Sequence, residues 1–532
     1  MSESTGMDNT DPHPTFPWIH CLILGLVGLA VGLYLIGTTV LIAADGIQYI
    51  LRAQQFATDT DRTIRISGVG YPILISAIHC LVMPNSTTAL GWAYAAQGTA
   101  LACRIGACLL LYGMARQWIG PARSFMAVLV PLLLPYPARF GADAMRDWPH
   151  LLFLIAGMGS LLAGCRRKRL GWFALAGCLS GVGYLIRVEG AQVVLLGLIA
   201  LGVEWFVRST QQPRRRIVVA SALLLAGFFV GGGWQMALQG WVLPEKLRFG
   251  EAKAEVRADF PRIVTWPEPA PLLAKIGPPP QWDLTAFLRT PWMVLKQTAE
   301  CMSPHGMVVG LIGFVAAWRR MRDRLPARFW IGLWGGFQIL MLIYLYSTYG
   351  YMSRRHVLPI VVSLCLFIPE GLEILARRIS GKPGMASNPA GAERMAWILL
   401  AVGMAINLPK LATPLREDKR GYRQASQWLA EHTPEGTKVL VDDVRAGFYA
   451  DRPYGILVSQ PPITARYPYV VLRQSRDSDP PEVRGGRNAK GVYSTAMNSR
   501  SEERVVVYRI VRPPSGRAPI PLNPRRSAVP DQ

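Results

Sequence analysis

The chain has 532 residues, 51% of them apolar and only 17% charged, with a mean hydropathy of +0.23. A soluble chain carries about 25% charged residues, so an ordinary water-soluble enzyme is excluded. The net charge of +23 invites a nucleic-acid reading, but the basic residues gather at the ends of apolar runs. Basic patches with interleaved aromatics are missing, which argues against strand binding.

Apolar runs suited to a hydrocarbon core, which takes about 20 residues, recur from Trp18 to Ala412. About eleven are predicted, near 18–41, 90–113, 122–137, 148–165, 170–187, 190–207, 217–238, 305–318, 329–347, 357–376 and 395–412. Several contain Gly and Pro, as bilayer helices tolerate. The expected fold class is an all-α polytopic membrane bundle over 18–412, preceded by a short tail, 1–17. The first run is too long for a cleavable leader and no small-residue cleavage site precedes Asp45, so it is expected to persist as the first helix.

Basic clusters fix the expected orientation. Arg166, Arg167, Lys168 and Arg169 form one; Arg214, Arg215 and Arg216 a second; Arg319, Arg320, Arg322 and Arg324 a third; Arg377 and Arg378 a fourth. Each follows an even-numbered run, so those loops and the N-terminus are predicted to be cytoplasmic by the positive-inside rule. Segments 42–89, 138–147, 187–189, 239–304, 348–356 and the tail from Thr413 then face outward. These outer connections are long and the inner ones short. The halves of the chain do not echo one another as those of many alternating-access transporters do, so function is expected on the outer surface. A cell membrane is the expected location.

On that surface Asp45 stands first, at the mouth of the leading run and at the head of an amphipathic stretch ending at Phe56. It suits a general base; the plainer reading is a helix cap. Tyr71 and Pro72 open an apolar segment to Val82 that is too short to cross and is predicted to lie in the interface, with His79 on it as a packed or headgroup histidine rather than a ligand. Arg104 falls near the middle of the second run, where a charge requires a partner or a water-filled cavity. In Gly141–Pro149, Asp143 and Asp147 would share one face of a helical turn, there to orient an acceptor or to bind Mg or Mn together with Asp45. An Asp143–Arg146 ion pair is the structural alternative.

Arg187 and Glu189 sit in a tight corner, either as a clamp or with Arg187 turned toward a phosphate. The loop 239–304 carries Trp241, Lys246, Arg248, Lys253, Arg257 and a Pro-rich run from Pro267 to Pro280, then an apolar segment from Leu284 to Val294 expected on the membrane. Arg354, Arg355 and His356 open the tenth run behind Tyr344, Tyr346, Tyr349 and Tyr351. They suit phosphate binding, since guanidinium grips phosphate oxygens in pairs, or headgroup anchoring. Residues 413–512 read as a small outer α/β domain: a helix over Gly421–Glu431, a turn at Thr433–Gly436, and strands at Lys438–Asp442, Tyr469–Leu472 and Arg504–Tyr508. Residues 513–532 are expected to be disordered. The eight cysteines lack metal-ligand spacing and read as apolar filler, with Cys80 and Cys301 the one outward pair.

Four stretches occur in a telling order: Asp45-Gly46-Ile47-Gln48-Tyr49, Gly68-Val69-Gly70-Tyr71-Pro72, Tyr184-Leu185-Ile186-Arg187-Val188-Glu189-Gly190, and Arg354-Arg355-His356-Val357-Leu358-Pro359. Together they resemble the polytopic glycosyltransferases of the GT-C fold, in the branch of protein O-mannosyltransferases, aminoarabinose transferases and lipopolysaccharide-core transferases (family 39-like). The resemblance covers roughly 15–412. It implies a polyprenyl-phosphate-linked sugar as donor, used on the outer face, and a catalytic role for the acidic residue that Asp45 matches. Glycolipid, polysaccharide and protein all remain open as acceptors. The first loop departs from the eukaryotic mannosyltransferases in lacking their doubled acidic signature. Sugar transfer from a lipid phosphate needs a base on the acceptor hydroxyl and cations on the departing phosphate, which these residues can supply. A flippase for a lipid-linked sugar would need no base, and an oligosaccharide polymerase or ligase would share much of the layout.

Overall fold

The computed structural model describes residues 17–511 apart from 61–63, 65–67, 208–213, 239–283, 322–324, 381–388, 458–466, 477, 484–487 and 500. The basic residues and prolines expected at 241–280, and the segment from 513, lie outside the described residues.

Every predicted apolar run holds a helix: α1 (Trp18–Thr38), α4 (Ala89–Ile119), α5 (Pro121–Leu133), α7 (Asp147–Arg167), α8 (Gly171–Ile186), α9 (Gln192–Val207), α10 (Arg214–Phe228), α13 (Pro304–Arg320), α14 (Leu325–Tyr349), α15 (Leu358–Cys365) with α16 (Ile368–Ser380), and α17 (Pro389–Ala412). Among the described residues, seven helices are long and apolar enough to cross a membrane, or nine if two bent pairs each count as one span. Helices α5 and α8 are shorter apolar helices. The third run is interrupted because Pro135 cannot continue α5. Leu134 adopts an extended conformation, and Pro135 begins a new short helix, α6 (Pro135–Phe140).

The chain is a polytopic membrane bundle, and its helices show it by facing apolar side chains outward: Trp18, Leu22, Leu26 and Leu33 of α1 are all exposed. With lipid on the far side, close backbone approach holds the helices together. Between α8 and α10 this is extreme. A Cβ on Gly177 would lie 2.0 Å from Leu224 O, and one on Gly231, between α10 and the short α11 (Trp234–Leu238), would lie 2.1 Å from Cys178 O. Gly177→Val is therefore expected to force this pair apart at a cost of about 1–3 kcal/mol, read as a lowered Tm of the purified protein in detergent.

Between α1 and α4 lie two further helices: the amphipathic α2 (Ala44–Thr58) and the short apolar α3 (Gly70–Val82). The latter places His79 as expected, buried, with its ring stacked 3.7 Å from that of Trp92. The segment expected on the membrane from Leu284 forms the start of α12 (Leu284–Met302), which exposes Leu288 and Trp292. At Ser303, which takes a φ of 67°, the chain turns by 110° into α13.

Past α17 the chain forms a small α/β unit: α18 (Arg420–His432), β1 (Val439–Val441), α19 (Val444–Ala450), β2 (Tyr454–Ile456), β3 (Tyr469–Ser475), β4 (Asn488–Ala496) and β5 (Glu503–Val511). The sheet runs β2-β1-β3-β5-β4. Val439 pairs in parallel with Tyr454 and with Tyr469, and β5 is antiparallel to both β3 and β4. Part of its core is shared with the bundle. One apolar cluster runs from Leu41, Ile47, Ile50 and Tyr71 into Tyr422, Leu429, Val441 and Phe448, so the tail packs on α2 and α3, while Leu440, Val470, Leu472 and Tyr508 form a separate cluster within the tail. All eight cysteines are free thiols, with Cys80 exposed and Cys301 buried.

Candidate active site

A cavity of about 530 Å³ opens at the head of α2. Asp45 lines one wall, the turn carrying Arg354 and Arg355 lines another, and Tyr136, Gln297, Tyr351 and Arg416 complete the rim. Asp45 is the second residue of its helix, and Ala43 is the cap. The plain capping reading is thereby corrected: no side-chain cap bond forms at this helix start, and the carboxylate is left free to face the cavity. Its side chain is 48% exposed, and Arg355 Nη1 donates to Oδ2 at 2.6 Å. Burial works against the Arg355 charge, but the nearby carboxylates of Asp147 and Asp45 raise its pKa above the ordinary value.

Arg354 points the other way along the wall. Its Nε donates to Glu300 Oε2 at 2.7 Å, and its guanidinium lies 4.4 Å from the centre of the Tyr136 ring. Lys410 Nζ lies over the same ring at 4.2 Å. A tyrosine holding two cations keeps positive charge at the cavity edge at low cost, where an anion would be drawn in. His356 is directed inward on its own turn. Its Nδ1 accepts from the Ser353 N–H at 3.0 Å, and its ring meets Tyr351 edge-on.

The remaining acidic residues are divided among different arginines. Asp143 does not sit on a helix with Asp147; it lies in the turn before α7, which starts at Asp147. Only 2% exposed, Asp143 accepts from the Ala43 and Ala144 N–H groups, both at 2.9 Å, and pairs with Arg416. The Asp143–Arg146 pair expected as the alternative is replaced, because Arg146 donates to Ile186 O at 3.3 Å and lies over the Tyr49 ring. Asp147 receives Arg187 Nη1 at 2.5 Å, while Arg187 Nη2 reaches Glu189 at 3.3 Å. Burial disfavours the Arg187 cation, yet Glu189 and Asp147 together raise its pKa above the ordinary value. That arginine is a clamp between the α7 and α8 ends and lies outside the cavity lining.

Arg104 and Tyr71 also lie away from the cavity. The Arg104 guanidinium is fully buried and donates to Leu132 O at 3.0 Å and Ala138 O at 3.1 Å, the carbonyl-rich ends of α5 and α6. It pins the break in the third run. Tyr71, also fully buried, donates to Ala96 O at 3.0 Å. Among the described residues, no group of three or more His, Cys, Asp or Glu side chains is placed to hold a metal ion. The set Asp45, Asp143 and Asp147 thus does not fit a shared divalent cation.

Glu300, Tyr136, Gln297, Lys410 and Arg416 were not among the residues singled out from sequence. Tyr136 was masked by an apolar run, and Glu300 by the helix that carries it. Only an unusual pairing across the fold could have revealed Arg416, which lies 273 residues from Asp143.

The crystal structure of ArnT from Cupriavidus metallidurans bound to undecaprenyl phosphate superposes with a TM-score of 0.57 at 14% identity, covering 92% of this chain and 98% of that one. The chain has the GT-C fold. The apo form of the same ArnT agrees, with a TM-score of 0.55, 14% identity and coverage of 92% and 97%. A further GT-C neighbour is the Archaeoglobus fulgidus oligosaccharyltransferase in complex with Zn and sulfate, with a TM-score of 0.51 and 13% identity, matching 82% of this chain and 62% of that one. The family model for dolichyl-phosphate-mannose-protein mannosyltransferases matches residues 72–234 of this GT-C chain. No curated protein matches the sequence significantly.

Proposed function

We propose that the protein is a membrane glycosyltransferase that moves a monosaccharide from a polyprenyl-phosphate carrier to an acceptor hydroxyl or amine on the extracytoplasmic face. The observation that carries this reading is the half-exposed Asp45 carboxylate hydrogen-bonded to the Arg355 guanidinium on the wall of the cavity. A base and an anion receptor stand side by side. That pair is what transfer from a lipid phosphate requires, and the undecaprenyl phosphate of the similar ArnT structure supports the choice of carrier.

The sugar's anomeric carbon is attacked by the acceptor oxygen as the phosphate departs. Asp45 takes the acceptor proton in the transition state, worth about 10²–10⁴-fold. Phosphate is a good leaving group, so its need is for positive charge. Arg355 and Arg354 supply it, with Lys410 close behind. Arg355 has two possible anions to serve. Before the donor arrives it holds Asp45; once the phosphate enters, its fork turns to the phosphate oxygens and releases the carboxylate to the acceptor hydroxyl. One displacement inverts the anomeric centre. Arg187, Glu189, Asp143 and Arg146 support the walls from behind.

The test is incubation of the purified protein with a panel of radiolabelled polyprenyl-monophosphate sugars and candidate glycolipid, polysaccharide and peptide acceptors, with and without chelator. Label in an acceptor, with inverted configuration, is the expected result. Movement of intact donor across vesicle membranes with no transfer to any acceptor would favour a flippase instead.

A further inference from the structure

We infer that the C-terminal α/β unit is a positioning element for Asp45, acting through the irregular strap Val40–Ala43 that joins α1 to α2. This rests on the reading of Asp45 as the base. The strap has no helix or strand of its own, so its buried backbone groups must find partners elsewhere. Three of these partners come from the tail. The Val40 N–H donates to Leu415 O at 3.1 Å, the Ile42 N–H to the Tyr449 hydroxyl at 3.1 Å, and Leu41 O receives Arg416 Nη1 at 2.9 Å. The fourth, Asp143, takes the Ala43 N–H at 2.9 Å and is itself held by Arg416.

Side chains repeat the pattern. Leu41 and Ile42 are fully buried within the cluster that also contains Tyr422 and Ala446 of the tail. Arg416 adopts a left-handed backbone, φ 56°, which a non-glycine residue takes only where surroundings impose it. Here the imposing contacts are the strap carbonyl and Asp143, which the guanidinium bridges.

The strap ends two residues before Asp45. Its position therefore sets one side of the 2.6 Å Asp45–Arg355 contact, while the turn of Arg354 and Arg355 sets the other independently. Loosening the strap displaces the base without disturbing the cationic wall. A displacement of about 1 Å of a reacting group costs on the order of 10²-fold in rate, and lipid binding is spared.

Three variants separate this from a merely structural role: Tyr449→Phe, whose ring packing on Arg423 survives, Arg416→Gln and Asp143→Asn. Asp143 belongs to the bundle, so its variant loosens the strap from the opposite side while also removing the ion pair that holds Arg416. Hydrogen exchange of the full chain in detergent is measured beside kcat and KM. Tyr449→Phe is expected to speed exchange at Val40, Ile42 and Ala43 about fivefold. Turnover should fall by a similar factor, with KM for the donor unchanged and β3 and β5 still protected. Arg416→Gln should lower kcat about 100-fold, and Arg416→Lys should recover part of that. Unchanged exchange at 40–43 in all three variants, or faster exchange with undiminished kcat, overturns the inference. Were the wild type to transfer no sugar at all, the proposed function would fall while the exchange arm still decided whether the tail holds the strap.

Discussion

Asp45→Asn is expected to lower kcat by about 10²–10⁴-fold while leaving donor affinity nearly intact. Asparagine has the shape of aspartate and can still accept a bond from Arg355, so the cavity walls stay in place. What it cannot do is take a proton from the acceptor. Loss of turnover with retained binding of the lipid phosphate, measured by isothermal titration, isolates that function. A full-rate Asp45→Asn enzyme would remove the base and with it the reason for placing chemistry in this cavity.

The second large effect belongs to Arg355. Arg355→Ala removes the partner of Asp45 and a cation from the path of the departing phosphate, so kcat is expected to fall about 10²–10³-fold, with weakened donor binding. Arg355→Lys should restore charge but not the paired geometry that a guanidinium offers, and so give intermediate turnover with a clearer loss in donor affinity. This split distinguishes it from Asp45→Asn. Arg354, whose guanidinium is already engaged by Glu300 and stacked on Tyr136, should act more weakly when replaced by lysine.

Much of the architecture could be read from the sequence because a bilayer leaves few choices. Long apolar runs become helices, and the carboxylate that ends the first run, Asp45, has to lie where the helix leaves lipid. Of the tail's two helices only α18 was legible, and three of its strands were, for a related reason: Lys438–Asp442 and Arg504–Tyr508 are short apolar runs between turn residues. Strands β2 and β4 were missed, the latter because Asn488–Ala496 is exposed on much of its length and shows no apolar alternation. The pairing of charges was less legible still. Asp143 and Asp147 looked like one helical face, but the backbone turns at Ala142–Met145, and the two carboxylates go to Arg416 and Arg187 respectively. Such partners are set by packing of distant segments, and spacing along the chain carries no trace of them. Arg104 is a mixed case. Its depth required a partner, yet that partner proved to be two helix-end carbonyls rather than an acid or a water-filled route.

The most direct test of the account is the side from which position 45 can be reached, and what covers it. An Asp45→Cys protein with its native cysteines replaced is treated with a membrane-impermeant maleimide in right-side-out and inverted vesicles. The account predicts labelling from the outer face, slowed by added polyprenyl phosphate. Labelling from the cytoplasmic face alone, or a rate indifferent to the lipid, would contradict it.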